Sequence, residues 1–143
     1  MKIMSVDSGK VRTGIAVSDN SETFAFPNCV ITEYNEEKLA TRIADKAKEL
    51  GAELIVVGHP KNMDGSEGFR AKECAVLAEK IEAVSGIKTH LWDERCTTVS
   101  AHTVLNFNDV KGKKRKESVD AVAAVMILED YLTFRKNSKG ANI

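Results

Sequence analysis

The chain has 143 residues, 43% of them hydrophobic and 29% charged, with 21 Lys and Arg balanced by 21 Asp and Glu. That length suits one compact domain with its own core, and the composition excludes a disordered chain, a collagen-like repeat and a disulfide-stapled miniprotein. No apolar run approaches the roughly 20 residues that span a bilayer, Asp7 comes too early for a signal peptide, and three cysteines without a C-x-x-C pair read as free thiols of a reducing cytoplasm.

In chain order, Lys2–Asp7 and Gly14–Ser18 are short β-type runs, parted by a segment containing Gly9, and Cys29–Thr32 is a third after Pro27. Their short connections predict antiparallel neighbours. The period then changes. Leu39, Ile43, Ala47 and Leu50 recur at helical spacing, with Asn35 placed to cap, Glu36 and Glu37 in the first turn, and Gly51 as the stop. Leu54-Ile55-Val56-Val57 is a continuous apolar run, as expected of a strand covered on both faces. A turn-rich loop spans His59–Gly68. A second helix carries Cys74, Leu77, Ala78, Ile81 and Val84 and closes at Gly86, and Lys88–Trp92 is the fifth strand. Thr97 or Thr98 can cap a short helix with Ala101, Val104 and Leu105, and a basic loop, Lys111–Lys116, precedes a last helix over roughly Glu117–Phe134. Phe69 and Trp92 read as packing residues. This order builds an α/β layer sandwich, a mixed sheet with helices on both faces.

The neutral total conceals a gradient. Residues 111–143 carry a balance of +4 and the preceding 110 residues a balance of −4. Nucleic acid responds to a local basic patch rather than to net charge. Arg12, Arg70 and Arg95 could grip phosphate bidentately, and Lys111, Lys113, Lys114, Arg115 and Lys116 suit a backbone-gripping loop.

Three acids stand in apolar company: Asp7 at the end of the first strand, Glu94 or its neighbour Asp93 at the end of the fifth, and Asp120 in the last helix. Ends of strands are where α/β sheets gather ligands. Carboxylates brought together repel and raise a pKa, a conflict that a hard divalent cation removes, and clustered oxygens favour Mg²⁺ or Mn²⁺. In-line phosphoryl displacement uses such a cluster. Alternation sends Asp93 and Glu94 to opposite faces, so at most one of the two joins Asp7 directly. Asp120 could equally answer Lys116 one turn before it.

Four segments in order carry a resemblance. They are Val6-Asp7-Ser8-Gly9 with Arg12–Asp19, then Val57–Gly65, then Asp93-Glu94-Arg95-Cys96-Thr97-Thr98, and Lys114–Ala124 continuing to Leu128 and Tyr131-Leu132. Together they resemble the YqgF family of Holliday-junction resolvase-like proteins, also described as nucleases of ribosomal RNA precursors. The resemblance implies one ribonuclease H-like nuclease domain over 1–143 with a flexible tail at 136–143, built on a five-stranded mixed sheet of order 3-2-1-4-5. It also implies a bacterial cytoplasmic protein whose partner is nucleic acid, precursor ribosomal RNA or branched DNA, with no membrane. It implies catalytic and metal-binding roles for Asp7, Glu94 and Asp120, with Mg²⁺ or Mn²⁺ as cofactor, and cleavage at the 5′ end of the small-subunit precursor. Related resolvases carry an acid at the end of the fourth strand, where this chain has Gly58-His59-Pro60.

The residues also allow a nucleic-acid-binding factor without cleavage, acting in transcription or ribosome assembly. A nucleotide phosphotransferase would need a second related lobe, which 143 residues without a repeat do not supply. An aspartyl phosphatase would need a second acid where Gly9 stands.

Overall fold

The structure is a computed structural model that describes residues 1–9, 11–60, 64, 66, 68–94 and 113–141, with backbone alone for 113–120 and 138–141. The expected short helix after Thr97 or Thr98 lies outside the described residues. Five strands form one sheet in the order β3-β2-β1-β4-β5. They are β1 (Ile3–Ser8), β2 (Arg12–Ser18), β3 (Ala25–Thr32), β4 (Leu54–His59) and β5 (Lys88–Asp93). The helices are α1 (Glu36–Leu50), α2 (Phe69–Ser85) and α3 (Lys113–Ala141).

β1 is central. It pairs antiparallel with β2 and parallel with β4, and Ile3 through Val6 are buried. The turn into β2 is drawn tight by the Gly9 N–H donating to the Arg12 carbonyl at 2.9 Å. A Cβ at position 9 would stand 2.7 Å from that same oxygen, so a glycine is required by close approach.

The helix signals act where the sequence puts them. Asn35 accepts from the Lys38 N–H at 2.9 Å. Gly51 and Gly86 end α1 and α2 in the left-handed conformation, at φ 74° and 72°.

Side-chain alternation along the strands divides the core. Met4, Val6, Ile55 and Val57 face α1 and α2, where they meet Leu39, Ile43, Leu77 and Ile81. Ile3, Leu54 and Val56 face the opposite way, onto Ala124, Leu128 and Tyr131 of α3. Ser5 shares this second face and donates to the Ala124 carbonyl at 2.6 Å.

Several expectations are corrected. β3 begins at Ala25 and takes in Pro27, which an edge strand tolerates because its missing N–H breaks no interior ladder; the register shifts beside it. Phe69 is 80% exposed and Val84 46%, so neither packs. The basic segment is not a loop throughout: Lys113, Lys114, Arg115 and Lys116 belong to α3, and Lys111 lies outside the described residues. α3 also continues through residues 136–141 of the expected tail.

Candidate active site

β1 and β4 run parallel and end side by side, with β5 parallel on the far side of β4. The chain leaves β4 towards α2, whose first turn therefore lies at the same end of the sheet. Asp7, Glu94 and Arg70 all reach this end.

Asp7 is the fifth residue of β1 and follows Ile3 and Ser5 in parity, so it stands on the α3 face. It is half-buried. Glu94 follows β5 directly, in the parity of Trp92, whose ring packs on α3 at 5.6 Å from Tyr131. The same parity brings its carboxyl over Gly58, where an added Cβ would stand 3.3 Å from Glu94 Cδ. Asp7 and Glu94 lie near enough for charge to matter. Burial, and after it the Asp7 carboxylate, pushes the Glu94 carboxyl up to about 7 from an ordinary 4.5, against a downward pull from Arg70. Asp93 contributes as a neighbouring charge but takes the other parity.

Asp120 belongs to the backbone of α3, and its side chain lies outside the described residues. Its place on the helix is informative. Ala124 is fixed against Ser5, and one turn back along the helix is a rise of about 6 Å. Two residues forward from Ser5 along β1 is a rise of about 7 Å. Arg135, further along α3, pairs with Glu22 of the β2–β3 turn at the opposite end of the sheet, so α3 runs back towards the Asp7 end and position 120 lies on that side.

Arg70 is the second residue of α2. Its Nη2 donates to the carbonyl of Ser8, the residue after Asp7, and its Nη1 lies 3.3 Å from Glu73 Oε2. Cys74, one turn on, is buried beneath this cluster, and burial raises its thiol to about 11, with Glu94 and Asp7 adding to the rise and Arg70 opposing it. Arg12 is exposed at the start of β2, at the same sheet end. Arg95 lies outside the described residues, as does most of the segment between His59 and Gly68. His59 is buried and takes the parity of Ile55 and Val57, on the α1–α2 side of the sheet.

The structure thus brings Asp7 and Glu94 near each other and places position 120 of α3 towards the same end of the sheet. Gly58 enters the site without having been selected from the sequence for it, whereas Arg70, named with Arg12 and Arg95 as an arginine that could grip phosphate, is placed at its rim. Gly58 had a signal, a glycine where related resolvases carry an acid. Arg70 had only its residue type.

The donor set fits a hard divalent cation. Its donors are oxygens, two carboxylates share one partly desolvated pocket, and the absent Cβ of Gly58 leaves the cradle in which one of them lies. No helix among the described residues is long and apolar enough to cross a membrane.

Comparison with known proteins agrees with this architecture. Residues 1–134 match the family model described as RuvX, Holliday junction resolvase. A protein of Listeria monocytogenes named "Putative pre-16S rRNA nuclease" is 41% identical over 134 residues, covering 92% of this chain and 97% of that one. A protein of the same name from Thermoanaerobacter pseudethanolicus is 39% identical over 138 residues, covering 96% and 99%. Among solved structures, Thermus thermophilus RuvC in complex with a Holliday junction substrate superposes with a TM-score of 0.67 at 11% identity, over 96% of both chains. The fowlpox virus Holliday junction resolvase gives 0.55 at 17% identity, over 93% of this chain and 99% of that one. These two similarities are of fold.

Proposed function

The chain belongs to the RuvX family, and on that premise we propose that it is a divalent-metal-dependent nuclease that hydrolyses phosphodiester bonds in structured nucleic acid. One observation carries the reading: the Glu94 carboxyl lies over Gly58 at the end of the sheet, near enough to Asp7 for the Asp7 charge to raise it. Two acids in a partly desolvated pocket oppose each other's ionisation, and a cation between them removes the conflict. Asp7, Glu94 and Asp120 would hold Mg²⁺ or Mn²⁺. When bound, the cation supplies Lewis acidity at phosphodiester oxygens and an acidified water.

The remaining steps belong to this chain's own residues. With its carboxyl raised to about 7, Glu94 is partly protonated near neutral pH in the metal-free protein, and a cation in the pocket would displace that proton. Arg12, Arg95 and the bases Lys111, Lys113, Lys114, Arg115 and Lys116 bind the substrate backbone and fix its register. The substrate is the 5′ region of precursor small-subunit ribosomal RNA, in the cytoplasm. The names of the relatives at about 40% identity support this choice, whereas the junction resolvases share the fold at much lower identity.

The test incubates purified protein with Mn²⁺ and either precursor ribosomal RNA or a four-way DNA junction, beside Asp7→Asn. Cleavage of the RNA by the wild type and its loss in the variant is the expected result. Equal cleavage by both proteins removes Asp7 from catalysis, and binding without cleavage in either makes the protein a binding factor. Cleavage confined to the junction would transfer the substrate to DNA.

A further inference from the structure

Arg70 sits at the rim of the acid pocket but is not one of its acids. Its guanidinium is tied on one side to the Ser8 carbonyl, one residue beyond Asp7, and on the other to Glu73 at 3.3 Å. With its side chain 32% exposed, it is neither sunk in the core nor free in solvent. A guanidinium has five N–H donors, so these two contacts leave capacity for a further acceptor. A phosphate oxygen approaching Asp7 from solvent meets the same rim.

A positive charge fixed in that position has two effects of opposite sign. It repels any cation entering the Asp7–Glu94 pocket alone, and it attracts a phosphate. Once a phosphodiester has accepted hydrogen bonds from the guanidinium, the cation meets a neutralised arginine and an additional anionic oxygen. The Arg70 guanidinium sits on the carbonyl of the residue after Asp7, so the field of its charge reaches the pocket.

We propose that Arg70 couples cation loading to substrate binding, keeping divalent metal weakly held until a substrate phosphate engages its guanidinium. Arg70 is on this account a positioning residue that sets the order in which the site fills. The proposal rests on the nuclease reading above and adds to it a dependence of each ligand on the other. Such coupling is reciprocal, and coupling factors of roughly 5- to 150-fold are usual between linked sites.

The test measures binding rather than turnover. Mn²⁺ alone is titrated into the full chain by electron paramagnetic resonance, for wild type, Arg70→Gln and Arg70→Lys. Affinity of a fluorescent RNA hairpin is measured by anisotropy in EDTA and in Ca²⁺, with Asp7→Asn giving the part of the Ca²⁺ effect due to charge screening of the RNA. Arg70→Gln is expected to bind Mn²⁺ alone about 5-fold or more tighter than wild type and to lose most of the Ca²⁺ enhancement of hairpin binding. Arg70→Lys, which keeps the charge, is expected to stay close to wild type in Mn²⁺ affinity. A purely structural arginine would give the reverse, weaker Mn²⁺ binding in Arg70→Gln. Equal or weaker Mn²⁺ binding in that variant overturns the proposal and leaves the nuclease reading in place. No Mn²⁺ binding by wild type, with the hairpin or without it, overturns the metal-dependent reading itself and the proposal with it. If thermal melts show Arg70→Gln unfolded, Arg70→Met carries the same comparison.

Discussion

Gly58 and Glu94 fit as a missing side chain and the side chain that lies in its place. A Cβ on Gly58 would stand 3.3 Å from Glu94 Cδ and 2.7 Å from Ile127 Cδ1. β5 is two strands away from β1, with β4 between them. A carboxylate at the end of β5 must lean across the end of β4 to approach Asp7, and a side chain on β4 would block it. The glycine and the position of the acid are therefore one solution. An acid on β4 itself would need no such clearance.

Gly58→Ala separates the two neighbours. The Ile127 methyl is the far end of a flexible side chain and can turn aside, so the variant folds, with a loss of about 1–3 kcal/mol from overpacking. The Glu94 carboxyl has less freedom, and its displacement lowers cleavage by up to about 100-fold. Adding Ile127→Val restores the melting temperature without restoring activity. Recovery of both together would show that Gly58 serves packing alone.

The raised Glu94 carboxyl has a consequence for stability. In metal-free protein its folded value is about 7 against an ordinary 4.5, through burial first and the Asp7 charge second. Between those two values the folded chain binds a proton that the unfolded chain has released, so stability falls as pH rises through the window and levels off above it. At about 1.4 kcal/mol for each pKa unit, the loss amounts to a few kcal/mol at most. Thermal melts in EDTA across pH 5 to 8 should decline in wild type and stay flatter in Glu94→Gln. Mn²⁺ at pH 8 should recover the lost stability, because the cation replaces the proton. Parallel pH profiles for the two proteins would remove Glu94 as the source.

Most of the framework is legible because it is written in local signals. Asn35 and Gly51 mark the ends of α1 through capping geometry, and the unbroken run Leu54–Val57 marks a strand with two covered faces. The choice between Asp93 and Glu94 stays open in the sequence because parity assigns them opposite faces without saying which face Asp7 takes. The Ser5–Ala124 contact supplies that information across 119 positions of sequence. The start of α3 escapes local signals for an electrostatic reason. Its first turn contains no acid and opens on four consecutive bases, Lys113–Lys116, which oppose the helix dipole. Phe69 has the residue type of a buried side chain, yet it opens α2 exposed. Arg70 gains its role only from the packing of α2 against the end of β1.

Cys74 offers a probe of how firmly the start of α2 packs against the sheet beside the site. Its side chain is 2% exposed, and burial raises its thiol to about 11. At pH 8 only about one molecule in a thousand would carry the reactive thiolate even with free access. Iodoacetamide labelling read by peptide mass spectrometry should therefore leave Cys74 unmodified in the folded chain, and it should be modified as denaturant opens the core. Cys29, half-buried with a thiol raised by burial, should react ahead of it. Rapid native labelling of Cys74 would mean that α2 lifts from the sheet end on the timescale of the reaction.

The helical backbone of Lys113–Lys116 changes what the basic segment can do. A flexible loop can bring every base to one phosphate strand, whereas a helix turns successive positions by about 100°. Positions 113 and 116 are three apart and fall on one face of a helix, and positions 114 and 115 fall on others. Neutralising one pair should therefore affect RNA binding more than neutralising the other. The salt dependence distinguishes the pairs, since removing a single phosphate interaction lowers the slope of log affinity against log salt by about 0.7–0.9. The pair that faces substrate, replaced together by Gln, should lower the slope by about 1.4–1.8, and the other pair by much less. Anisotropy titrations of an RNA hairpin at several potassium chloride concentrations make the comparison. Equal changes for the two pairs would mean that the segment meets nucleic acid unwound, as a loop.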